Sequence, residues 1–72
     1  MNQITFNPKI LGGKPIIRNT RLSVNFILEL LASGMNEERI LREYPQLKRG
    51  DIRAVLEYAA RSIKREEVVL KK

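Results

Sequence analysis

Seventy-two residues with fourteen Lys and Arg, eight Asp and Glu, no cysteine and no histidine give a net charge of +6. A chain of that length makes one domain, 1–72, burying only about 60% of the surface its unfolded form exposes. It has neither a disulfide nor a Cys/His zinc site to brace it. Without an imidazole base or a thiol nucleophile, and with Asp51 and scattered glutamates making no acidic cluster, catalysis, metal ligation and a bound cofactor are all expected to be absent.

No apolar run approaches the roughly 20 residues a bilayer requires, and the N-terminus lacks a basic start followed by an apolar stretch, so a cytoplasmic protein is expected. Residues 1–22 are rich in turn formers. The apolar pieces Ile4 to Phe6, Ile10-Leu11 and Ile16-Ile17 alternate with Asn7-Pro8, Gly12-Gly13 and Asn19, and predict brief strands. Strands this short are marginal alone, so they are expected to lie on helices or to pair with a second subunit. Gly12-Gly13-Lys14 lacks the spacing of a phosphate-binding loop and reads as a structural turn, its exit set by Pro15.

Residues 23–66 predict a helical bundle. Ser23 is placed to cap a first helix in which Val24, Ile27, Leu28 and Leu31 recur at helical spacing until Gly34. Phe26 and Leu30 widen its apolar stripe, which suits a helix covered on two sides, by the bundle and by a dimer mate. Asn36 then caps a second, short helix with Glu37 and Glu38 in its first turn and Ile40, Leu41 and Tyr44 facing inward, ended by Pro45. After Pro45-Gln46-Leu47 a third helix from about Arg49 is expected to bury Ile52, Val55, Leu56, Ala59 and Ile63. Arg53, Glu57, Arg61 and Lys64 fall on its other side. Gly50, in its first turn, either loosens that start or lets the backbone approach a phosphate or the second helix.

Charge is uneven along the chain. Residues 1–20 hold Lys9, Lys14 and Arg18 and no acid, residues 21–47 are near neutral, and residues 48–72 hold eight bases against four acids. The segment 67–72 reads as a tail. Its Val68, Val69 and Leu70, set among charges, suit either ordering on a partner, a frayed helix end or a dimer contact.

A set of motifs in fixed order runs through the chain: Asn7-Pro8, Gly12 to Ile17, Thr20-Arg21, Leu31 to Gly34, Tyr44 to Leu47 and Asp51-Ile52. In these, from about Ile4 to Ala60, the chain resembles the domain-of-unknown-function 433 family of prokaryotic proteins. That resemblance implies a small helix-turn-helix-like fold with no known enzymatic activity. It also implies an antitoxin encoded beside a PIN-like toxin nuclease. Two positions depart from the family pattern: Asn19 stands where glycine is usual, and Lys48 where threonine or serine precedes the third helix.

Together these readings give a mainly α chain, a three-helix helix-turn-helix-like bundle behind a short N-terminal β hairpin. The expected function is an antitoxin-like homodimer. Lys48, Arg49, Arg53, Arg61 and Lys64 are its candidate DNA-binding residues, and Lys14, Arg18, Arg21, Val68, Val69 and Leu70 its candidate partner-binding residues, the first three as a basic arm that reaches either a phosphate or an acidic toxin surface. The alternative is a protein-interaction adaptor that never meets DNA, which the carboxylate of Glu57 amid the basic stripe would suit.

Overall fold

The computed structural model describes residues 3–70, with side-chain surroundings given for residues 3–64. In chain order it contains β1 (Ile4–Phe6), a single 3-10 turn (Leu11–Gly13), β2 (Pro15–Ile17), α1 (Val24–Ala32), α2 (Glu37–Glu43) and α3 (Arg49–Leu70). The three helices and the hairpin are those expected from the sequence.

The two strands pair antiparallel with each other, Ile4 opposite Ile17 and Phe6 opposite Pro15. Ile10-Leu11, read from sequence as a third strand, is not one. Leu11 takes a left-handed φ of 52° and Gly12 and Gly13 follow at 66° and 85°, so this stretch turns the chain back for pairing. The pair is too small to stand alone, and it is supported by β1 packing on α3 and β2 on α1.

Helix boundaries follow from their caps. The Ser23 hydroxyl accepts the Phe26 N–H at 2.9 Å, and the Asn36 side chain accepts the Arg39 N–H at 2.9 Å. Gly34, at φ 100°, closes α1. Lys48 has no side-chain oxygen with which to cap α3, and Asp51 supplies one from inside the helix: its carboxylate accepts the Lys48 backbone N–H at 2.9 Å. The carboxylate also sits in the first turn, where the helix dipole favours negative charge.

The core gathers Ile4, Ile17, Val24, Ile27, Ile40, Leu47, Ile52, Ala54 and Val55, drawn from both strands, all three α-helices and the α2–α3 corner. Leu47 is buried between α2 and α3 and its N–H bonds the Tyr44 carbonyl, so the corner between those helices is held by packing as well as by Pro45. Phe26 meets Tyr44 edge-on at 5.7 Å, tying α1 to the end of α2.

Two residues expected inside are outside. Leu56 is 48% exposed and Ile63 54%, while Ala59 is half-buried. Leu56 lies only about 10 Å along α3, beside buried Ala54 and Val55, but it points about 100° around the helix from Val55 and so off the packed face. For Ile63 the cause is length: α3 has 22 residues against 9 in α1 and 7 in α2. At 1.5 Å per residue it runs about 33 Å beside helices of about 14 and 11 Å, so its later turns have nothing to pack on. α3 also continues to Leu70, so residues 67–70, read as tail, prolong the helix. No helix of the described residues is long and apolar enough to cross a membrane.

Gly50 is required neither by packing against α2 nor by its backbone angles. A Cβ built there would lie 3.7 Å from the Gln3 side-chain amide, an ordinary contact, and no positive φ is needed. Gly50→Ala is expected to stabilise the chain by about 0.5–1 kcal/mol, read as a higher thermal midpoint by circular dichroism; an unchanged or lower midpoint would show that the glycine is required.

Candidate functional site

Five of the sequence-derived cations lie on or beside α3. Arg53, Arg61 and Lys64 are exposed, and at 100° per residue they fall with Glu57 within roughly 80° of one another on the face away from Ile52 and Val55. They therefore form a solvent-facing ridge with one carboxylate in it. Lys48 is exposed immediately before the helix.

Arg49 is differently placed from a free phosphate ligand. Its guanidinium donates to the Glu37 carboxylate at 2.7 Å, joining the first turn of α3 to the first turn of α2. Both side chains are well exposed, so the pair contributes at most about 1 kcal/mol, but it holds Arg49 against an acid. Sequence reading missed this bond because the partners are twelve residues apart and meet only when the two helices fold together. Glu37→Gln is expected to leave the thermal midpoint within about 0.5 kcal/mol of wild type. If the ridge binds polyanions, the same change tightens that binding by freeing Arg49; weaker binding would mean that the pair itself shapes the site.

The cations of the N-terminal segment separate into two groups. Arg18 and Arg21 border a groove of about 710 Å³ lined also by Phe6, Asn7, Ile10, Leu22 and Gln46. Lys14 lies exposed after the 3-10 turn and lines neither this groove nor its neighbour. The neighbour, a cleft of about 340 Å³, shares Arg18, Asn19, Thr20 and Gln46 with the first groove and continues to Lys48 and Asp51. The fold thus puts Arg18, a partner-binding candidate, in one cleft with Lys48, a DNA-binding candidate, while Arg21 borders the adjoining groove. Gln3, Asn19, Thr20 and Gln46, which the sequence reading did not select as site residues, line the same surface; their polar, turn-forming character was legible but their convergence was not. Val68, Val69 and Leu70 lie outside the residues whose side chains are described.

Arg18 to Leu22 is a closely bonded turn. Thr20 carries it: its hydroxyl donates to the Ile17 carbonyl at 2.8 Å and accepts the Leu22 N–H at 3.0 Å. Asn19 adopts the left-handed φ of 66° that the turn requires, a conformation Asn tolerates better than most residues.

Against known proteins, the model of the family described as "Protein of unknown function (DUF433)" matches residues 4–59. The uncharacterized protein y4eO of Sinorhizobium fredii (strain NBRC 101917 / NGR234) is 39% identical over 56 residues, which are 78% of this chain. The match spans only 25% of that relative's length. The crystal structure of a DUF433 member protein from Anabaena variabilis ATCC 29413 superposes with a TM-score of 0.83 at 26% identity, over all of this chain and 71% of that one. With the family model matching residues 4–59 and a member's crystal structure sharing the fold, the chain belongs to the DUF433 family.

Proposed function

We propose that this chain is a non-catalytic, cytoplasmic, antitoxin-like regulator that binds operator DNA as a homodimer and neutralises a PIN-like toxin nuclease through a separate surface. The observation that carries the DNA half is the exposed ridge of Arg53, Arg61 and Lys64 on a helix that follows a tight corner, with Lys48 at its start. A helix-turn-helix offers its second helix to the major groove in this way, and a basic outer face supplies the phosphate contacts that set register. The homodimer is supported by Leu56 and Ile63, apolar side chains left in water on one flank of α3. The toxin half rests on the family resemblance and on the basic tail.

Two assays test it together. The protein is expected to retard a duplex from its own promoter in a salt-dependent manner, and to co-purify with and silence the nuclease product of the adjacent gene. A neighbour that neither binds nor is inhibited removes the toxin half, and a promoter duplex that migrates unchanged removes the DNA half.

The second reading is an interaction adaptor. It is favoured by the Glu37–Arg49 ion pair and by Glu57, which set two carboxylates on or next to the ridge. An adaptor would pull down its partner and leave every duplex unshifted at low salt.

A further inference from the structure

The groove beside the hairpin and the cleft at the start of α3 adjoin through Arg18, Asn19, Thr20 and Gln46, making one continuous channel. Three cations border it: Arg21 on the hairpin side, Arg18 where the two parts meet, and Lys48 next to α3. Asp51 is the one acid among the described lining residues, and its carboxylate is engaged with the backbone N–H of Lys48. The channel therefore carries net positive charge, and it opens at the end of α3 that leads a helix-turn-helix into DNA.

The turn that presents the two arginines is ordered before any ligand arrives. The Arg18 N–H donates to the Gln3 carbonyl at 2.7 Å, the Ile17 N–H to the Leu22 carbonyl at 2.9 Å, and the Thr20 N–H to the Ile17 carbonyl at 3.0 Å. With the two Thr20 hydroxyl bonds these fix the backbone from Ile17 to Leu22. A contact made from such a turn loses little backbone entropy on binding.

We infer that the Arg18–Arg21 turn is a second phosphodiester clamp for duplex DNA, the channel following the sugar-phosphate backbone from Lys48 to Arg21 while the α3 ridge meets the adjacent groove. The inference rests on the DNA-binding reading above and deepens it, giving Arg18 and Arg21 a phosphate rather than a toxin surface as their ligand. The amides of Gln3, Asn19 and Gln46 along the channel are neutral groups of the kind that supplement Arg and Lys on phosphate oxygens.

The test is a salt series of affinities for a fluorescent promoter duplex, with wild type, Arg18→Gln/Arg21→Gln, Arg18→Lys/Arg21→Lys, Thr20→Val and Arg53→Gln. The Gln double variant is expected to lower the slope of log affinity against log salt by roughly 1.8, about 0.9 for each phosphate lost. The Lys double variant restores the slope. Thr20→Val weakens binding without changing the slope, because the charges remain and only their positioning is lost. If the double variant melts below the assay temperature, Arg21→Gln alone, at an exposed side chain, replaces it with an expected fall of about 0.9.

An unchanged slope in the Arg18/Arg21 variants, alongside a reduced slope in Arg53→Gln, overturns the clamp and leaves the DNA-binding reading standing. In that case loss of nuclease co-purification in the same variants would assign the channel to an acidic protein segment. Absence of duplex binding by the wild type overturns the DNA-binding reading itself.

Discussion

Ile40→Ala is expected to take away most of the chain's stability. Ile40 is fully buried in α2, within the core cluster that draws on all three helices, and truncation of such a residue costs about 2–5 kcal/mol. At roughly 0.05–0.15 kcal/mol per residue the whole chain has about 4–11 kcal/mol to lose, and without cysteine it has no disulfide to limit the damage. The urea midpoint should therefore collapse toward zero, with residual helix signal from α3 alone. Leu56→Ala provides the contrast. Half exposed on the uncovered flank of α3, it is expected to shift the midpoint by less than about 0.5 kcal/mol at a concentration where the chain is monomeric. Comparable losses for the two substitutions would mean that α3 is covered along its whole length.

Removing the ridge charges is expected to have the largest effect on binding. Lys48→Gln, Arg53→Gln, Arg61→Gln and Lys64→Gln combined take away four exposed cations outside the hydrophobic core. If each meets a phosphate, the salt slope falls by roughly 3.6, and the shift of a promoter duplex disappears at physiological ionic strength. Stability is expected to be almost unchanged, since exposed charges of this kind contribute a few tenths of a kcal/mol each. Arg49 is left in place because its bond to Glu37 makes it a structural residue first. Retention of both affinity and slope in the quadruple variant would transfer the function to the adaptor reading.

The surface has consequences beyond the single residues. From sequence Arg18 and Arg21 belong to a basic arm suited to a phosphate or to an acidic toxin surface, far from α3 in the chain. The tertiary structure sets them on one channel with Lys48, so a partner that covers the hairpin also covers the entrance to the ridge. Nuclease binding at that channel and DNA binding along it would then compete, whereas binding at residues 68–70 would leave both open.

Local structure was legible in the sequence because short-range rules decide it. Ser23, Asn36 and Gly34 mark helix ends through bonds and backbone angles reaching no more than a turn, and each acts as its residue type predicts. Val24, Ile27, Ile40, Ile52 and Val55 are buried because helical periodicity puts them on one side. Asp51 could also have been read as the cap of α3, since it stands three residues after Lys48 in the manner of a capping box. What periodicity does not carry is the length of the neighbour. Ile63 continues the apolar stripe of α3 past the reach of α1 and α2, and Leu56 falls at the edge of that stripe, and only the assembled helices decide which positions are covered. The Glu37–Arg49 bond and the channel joining Arg18, Arg21 and Lys48 belong to the same class. They depend on where separate elements come to rest, and the energy that settles it is the burial of Ile4, Ile17, Ile27, Ile40 and Leu47 against one another.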